Sequence, residues 1–277
     1  MSKFRAFCKE WLTWLSQQIF QYTCPVCRTT TLYERGICPG CLAMLAVEEK
    51  RTCPRCHHIA PECTCALSIP TMFPMGDKDR TWLAHTFYDS YEDGVLRKLL
   101  HNAKKDYKRA MFDYMASMLV ADLNKMYQSG THAMAFGDAA NPWRNCSIAW
   151  IPRSDKGFRE YGFDQGEECA TRIARQLGIP ALPLFLQCGG KTQKKLSAAE
   201  RRENAEHNLH LRRDIDLPQG PLLLYDDVIT TGSSMTAAIL LLAEEGVTDV
   251  FPIAFARTVR GKRRSQAETE SNQKDLP

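Results

Sequence analysis

Eight of the 12 cysteines lie between Cys24 and Cys65, and six of those eight form three Cys-x-x-Cys pairs. Cys24-Pro-Val-Cys27, Cys38-Pro-Gly-Cys41 and Cys53-Pro-Arg-Cys56 are followed by Cys63-Thr-Cys65. A two-residue spacer lets one tight turn offer two thiolates to one ion, and zinc takes four such ligands in a tetrahedron. The surrounding segment is rich in Cys, Pro and Thr and short of apolar runs, so it needs a staple to fold. The simplest ligand sets are Cys24/Cys27/Cys38/Cys41 and Cys53/Cys56/Cys63/Cys65, in a small zinc-ribbon-like unit. Spacing leaves interleaved pairing open, and His57 or His58 could replace a thiolate in the second set. A closed four-thiolate site has no free coordination position, so the expected metal role is structural. Chelation is then expected to loosen residues 24–65 and spare the rest. Cys8, Cys146, Cys169 and Cys188 stand alone and read as ordinary buried or half-buried thiols.

Cysteine pairs used this way suit a reducing compartment. The first twenty residues scatter Lys3, Arg5, Lys9 and Glu10 among apolar side chains and lack the uninterrupted apolar stretch of a secretory signal. The expected location is the cytoplasm. Phe4, Phe7, Trp11, Leu15 and Ile19 recur at helical spacing, which predicts an amphipathic helix within 1–21. It would dock on its own protein or, alternatively, on a membrane surface or partner. No run of about 18 apolar residues exists, so no membrane-spanning helix is expected. A net charge of +4 is too mild to predict nucleic-acid binding by itself.

Composition divides the rest of the chain. Residues 22–70 are the cysteine-rich unit, 82–258 have an alternating α/β pattern, and 259–277 read as a disordered polar tail with a basic start. Val95 to Leu123 keeps helical spacing throughout. Ser147–Ile151 is a short strand ended by Pro152, and Gly166–Leu177 a helix closed by Gly178. Pro221–Tyr225 is a buried strand, Ser233–Glu245 a helix closed by Gly246, and Val250–Ala256 a further strand. Strand, helix, strand in that order implies a parallel unit.

The most informative stretch is Leu222-Leu-Leu-Tyr-Asp226-Asp227-Val-Ile-Thr230-Thr231-Gly232-Ser233-Ser234. An apolar strand delivers two adjacent carboxylates at its end. A loop of hydroxyl residues and one glycine follows, and then a helix begins. Turn amides and a helix N-terminus bind anions, and hydroxyls add donors to phosphate oxygens. Carboxylates beside an anion site must face something else, such as ribose hydroxyls or a divalent cation carried with the phosphates.

This segment resembles the phosphoribosyl pyrophosphate signature of type I phosphoribosyltransferases. The order of other motifs resembles one branch of them, the ComF family of competence or DNA-uptake proteins with an N-terminal zinc finger. Those motifs are the cysteine pairs, Tyr91-Glu-Asp-Gly-Val-Leu-Arg-Lys-Leu-Leu, Ile151-Pro152-Arg153, Gly162-Phe163-Asp164-Gln165 and Arg201-Arg202-Glu203-Asn204. The resemblance runs from about Phe20 to Thr258. It implies a type I phosphoribosyltransferase-like parallel sheet flanked by helices, with the zinc-ribbon unit ahead of it.

The same resemblance implies that Asp226 and Asp227 hold the ribose 2- and 3-hydroxyls, and that Thr230, Thr231, Gly232, Ser233 and Ser234 cradle the 5-phosphate. Arg153, Lys156 and Arg159 would supply positive charge near pyrophosphate, with magnesium bound to the ligand, and the segment Gln193–Asn204 would close over it. Each of those three cations has an ordinary reading as a surface charge. The chain carries Tyr161 where the family commonly has Arg, Tyr225 where an aliphatic residue is usual, and His101-Asn-Ala-Lys104-Lys105 in place of a more aromatic stretch.

Phosphoribosyl transfer is the implied activity, in a cytoplasmic role in DNA uptake and natural transformation. The alternative is a non-catalytic accessory that binds single-stranded DNA. Arg97, Lys98, Lys104, Lys105, Lys108 and Arg109, accompanied by His101 and Tyr107, would serve it. DNA-uptake proteins are further implied partners. No general base and no base-recognising element identify themselves.

Overall fold

In the computed structural model, residues 22–31, 36–49, 71–75, 77–88, 94–128, 143–188 and 208–257 are described. The predicted N-terminal helix, Cys53, Cys56, Cys63, Cys65, the segment Gln193–Asn204 and the tail from 259 lie outside them. Among the described residues no helix is long and apolar enough to cross a membrane.

The chain begins with a minimal antiparallel hairpin, β1 (Tyr22–Thr23) and β2 (Thr30–Thr31), followed by helix α1 (Pro39–Glu49). A five-stranded sheet is built from β3 (Thr71–Met75), β4 (Asp77–Tyr88), β5 (Ser147–Trp150), β8 (Leu222–Ile229) and β9 (Val250–Arg257). Its order is β3-β4-β9-β8-β5. Every pair is parallel except the β3–β4 hairpin at one edge. The α/β pattern therefore starts ahead of Trp82, within a strand that begins at Asp77. β6 (Phe185–Gln187) and β7 (Leu209–Leu211) form a separate small pair.

β8 lies between β9 and β5, and alternate side chains leave it on opposite faces, as strand geometry requires. Leu223 and Tyr225 join Ile148, Trp150, Ile253 and Phe255 in one core, and Leu222 and Leu224 join Ala149 and Ala254 in another. The first face is covered by α2 (Val95–Lys105), α3 (Arg109–Gln128) and α5 (Gln165–Leu177); the second by α6 (Ser233–Glu244). This is the expected α/β fold, a parallel sheet flanked by helices. The β8–α6–β9 unit closes as read from the sequence, and Gly178 ends α5 at φ 70°.

Two features depart from the sequence reading. Val95 to Leu123 is two helices, broken where Asp106 turns extended at φ −120°, ψ 122°. The cysteine-rich segment, as far as it is described, also shares a core with the helices. Val26, Ile37, Cys41 and Leu45 pack in the same buried cluster as Leu96, Leu99, Leu100 and Phe112. Each such aliphatic side chain contributes about 1.5–3 kcal/mol on burial. Gly36 sits at φ +77°, and a Cβ there would come within 2.5 Å of the Ala110 Cβ on α3, so the two segments touch backbone to side chain.

Candidate ligand and metal sites

The β1–β2 hairpin carries Cys24 and Cys27, Cys38 stands just before α1, and Cys41 lies in its first turn. The second thiol pair thus flanks a helix N-terminus, where burial and the neighbouring sulfurs push the Cys41 thiol well up. All four Sγ atoms lie within 4.8 Å of one another, and Cys27 Sγ stands 3.7 Å from Cys38 Sγ. Zinc–sulfur bonds of about 2.3 Å place tetrahedral sulfurs about 3.8 Å apart, so the donor set fits. The Thr29 hydroxyl, 2.8 Å away, and the Thr29 amide lower the Cys27 thiol to about 6. This four-cysteine cluster is compatible with structural zinc, and it is the first of the two sets read from the sequence.

Of the isolated cysteines, Cys146 and Cys169 are buried, and burial pushes each thiol up to about 12, which makes them inert. Cys188 differs from expectation in being exposed.

In the sheet, β8 delivers Asp226 half-buried and Asp227 buried. Lys104, from the last turn of α2, places its Nζ 3.0 Å from Asp227 Oδ2. Burial opposes ionisation of Asp227, but this ammonium wins and holds its carboxyl below the usual carboxylate range. Asp226 lacks so close a cation, and burial with the neighbouring Asp227 charge pushes it well up. The pair therefore favours one charge over two, the expected outcome for adjacent carboxylates. Tyr225, below them, is fully buried beside the Cys169 thiol.

The loop after β8 turns at Gly232, whose φ of 75° is left-handed and strained for any side chain. Gly232 gives no side-chain cap to α6, which leaves the first amides of that helix without the usual partner. Thr231 and Ser233 share a hydroxyl hydrogen bond of 2.8 Å, Thr230 is exposed, and Ser234 is half-buried. Two carboxylates, a hydroxyl loop and an uncapped helix start thus occupy one strand–loop–helix unit. Chemically it can accept hydrogen bonds from a diol and donate them to an anion.

The loop after β5 leads to Arg153, whose guanidinium donates to the Phe163 carbonyl at 3.2 Å and to the Lys104 carbonyl. It also stacks over Tyr161 at 4.7 Å and Phe163 at 5.2 Å. This side chain, expected as a cation near pyrophosphate, holds the loop, α2 and the Phe163 turn together. Tyr161 supplies one of those stacking faces. Lys156 and Arg159 are exposed on α4 (Asp155–Tyr161), and neither has an ion pair among the described residues.

Sequence reasoning missed α4, although Ser154 as N-cap and Gly162 as the closing left-handed residue were legible signals. It also missed the job of Asp164, which is buried and caps α5. Its Oδ1 accepts from the amides of Gly166 at 2.7 Å and Glu167 at 3.4 Å, while Oδ2 accepts from the Arg153 amide at 2.7 Å. Asp164 followed by Glu167 is a capping-box spacing that could have flagged it. The role of Lys104 had no local signal.

No protein-family model matches the chain. Among solved structures it is similar to adenine phosphoribosyltransferase from Thermoanaerobacter pseudethanolicus, at 14% identity over 68% of this chain and 95% of that one, with a TM-score of 0.30. It is also similar to orotate phosphoribosyltransferase from Aeropyrum pernix, at 14% identity over 73% of this chain and 81% of that one, with a TM-score of 0.30. Sheet order and helix placement, rather than these superpositions, define the fold. A curated relative, Competence protein F of Haemophilus influenzae, is 32% identical over 114 residues, 39% of this chain. The match spans 50% of that relative's length. Over that stretch the chain is a homologue of Competence protein F, and the resemblance to the ComF family carried by its motifs is borne out.

Proposed function

We propose that this chain binds phosphoribosyl pyrophosphate, with magnesium on its phosphates, at the β8–α6 loop, and acts in the cytoplasm in DNA uptake during natural transformation. The observation that carries the reading is the pairing of Asp226 and Asp227 at the end of β8 with the left-handed Gly232 and the uncapped start of α6. Asp226 and Asp227 accept from the ribose hydroxyls, and the Thr230–Ser234 loop donates to the 5-phosphate. Displacement of pyrophosphate from C1 passes through an oxocarbenium-like state, which a protein favours by fixing the ribose and neutralising the departing charge. Magnesium supplies part of that neutralisation when bound with the ligand. Lys156 and Arg159 remain the exposed cations suited to the pyrophosphate, with Arg153 holding their loop. The four-cysteine cluster holds structural zinc, and the homology to a competence protein supports the biological setting.

Calorimetric titration of the full chain with phosphoribosyl pyrophosphate and magnesium tests the reading. Saturable binding is expected in the wild type, and Asp226→Ala with Asp227→Ala should weaken it by about a hundredfold or more. No heat from the wild type would remove the assignment. A second reading, a single-stranded DNA accessory, is favoured by one observation: Lys98, Lys105, Lys108 and Arg109 are exposed on α2, the turn after it and the start of α3. DNA affinity that falls steeply with salt while phosphoribosyl pyrophosphate gives no heat would favour it.

A further inference from the structure

The four-cysteine knuckle and the carboxylate pair meet through one turn of helix. Inside the knuckle, the carbonyls of Pro25 and Val26 both accept from the Asn102 side-chain amide, at 2.5 and 3.3 Å. Arg28, in the left-handed region at φ 65°, returns a hydrogen bond of 3.2 Å to Asn102 Oδ1 and pairs with Asp106. Asn102 and Asp106 therefore clamp the last turn of α2 to the knuckle from both ends. Between them sits Lys104, whose ammonium holds Asp227 at 3.0 Å and whose carbonyl receives the Arg153 guanidinium. The turn has one side committed to the cysteine module and the other to the ligand site.

We infer that the Asn102–Asp106 turn is a strut through which the four-cysteine centre positions Lys104 at Asp227 and anchors the Arg153 loop, with Asn102 as its positioning residue. Where the proposed ligand is concerned, the inference rests on the function proposed above. It reverses the expectation that losing the metal spares the rest of the protein. With the knuckle loosened, Pro25 and Val26 no longer hold Asn102, the turn frays, and Lys104 leaves Asp227. Helix ends are the segments most able to respond in this way, because their last carbonyls lack helical partners.

The test uses the full-length, zinc-loaded chain and two readouts: amide hydrogen exchange, and calorimetry with phosphoribosyl pyrophosphate and magnesium as the probe. Asn102→Asp keeps the size and removes both donors. It should leave the zinc content unchanged, quicken exchange at 102–106 and 226–231 together, and weaken the probe about tenfold. Lys104→Met should weaken the probe similarly, and the double variant should lose no more than Lys104→Met alone, since both act through one turn. Chelation of the wild type should quicken the same two segments. Additive losses, or unchanged exchange at 226–231 while 102–106 quickens, overturn the strut. Arg28→Met, at an exposed position, carries the same expectations if Asn102→Asp does not fold. Should the wild type fail to bind the probe, the ligand reading falls, and the exchange data alone decide the strut.

Discussion

The knuckle and the ligand loop solve the same problem by different means. Each must hold a short irregular segment still. The knuckle has two strands of two residues each and a helix, and it relies on docking on α2 and α3 and, in the reading proposed above, on a metal held by its four sulfurs. The β8–α6 loop, proposed above to take the ligand, hangs from β8, which is paired on both sides and packed on both faces, so the sheet fixes its ends. A donor set can rigidify a segment only by occupying its reactive groups. A sheet can do so and leave them open, and that difference suits one region to structure and the other to ligands.

The largest expected effect is on the knuckle. Cys24→Ser should cost about 4 kcal/mol or more with loss of zinc, a fall of roughly 10 °C in unfolding midpoint for a chain of this size. Metal analysis and a thermal scan check it, and an unchanged midpoint would erase the contrast between the regions. On the ligand side, Asp164→Ala removes the acceptor of three backbone amides and should cost about 3 kcal/mol, with zinc retained. Denaturant unfolding measures that loss, and a change within error would mean that the loop is held by the strands alone.

Gly36→Ala should cost about 2 kcal/mol by the same assay, from the left-handed backbone and the contact with Ala110. If it costs nothing, the knuckle is not docked as described. The smallest effect is the ion pair between the regions. Lys104→Met should lower stability at neutral pH by about 1–2 kcal/mol, between the worth of an exposed and a buried pair. Asp227 has a depressed pKa in the folded chain, so its contribution is present above the unfolded carboxylate value and disappears as pH falls through the folded one. The gap between wild type and variant should therefore be constant above about pH 5 and close in more acid solution, as parallel melts across pH will show.

What the sequence made legible was what local chemistry decides. Leu222–Ser234 announces strand, carboxylates, turn and helix within thirteen residues, and Gly178 announces a helix end. What stayed hidden depended on distant partners. Nothing near Val95–Leu123 marks the break at Asp106, because the groups that bracket it, Arg28 and the knuckle carbonyls, lie far earlier in the chain. Lys104 read as one more charge on a basic helix face until the fold set it on Asp227. The contacts of Arg153 stayed hidden because two of its partners are backbone carbonyls, which carry no residue code.

The sheet order also dictates when the molecule can be finished. β4 pairs on one side with its neighbour β3, but its other edge waits for β9, with His85 opposite Ile253. On the ribosome that edge emerges long before its partner is translated, and α2 and α3, which cover Cys24 to Cys41, follow it well ahead of β9. The knuckle can therefore assemble during synthesis, whereas the sheet closes only with the last strand. In that interval β4 carries an unpaired edge, the kind of surface that invites aggregation or calls for a chaperone.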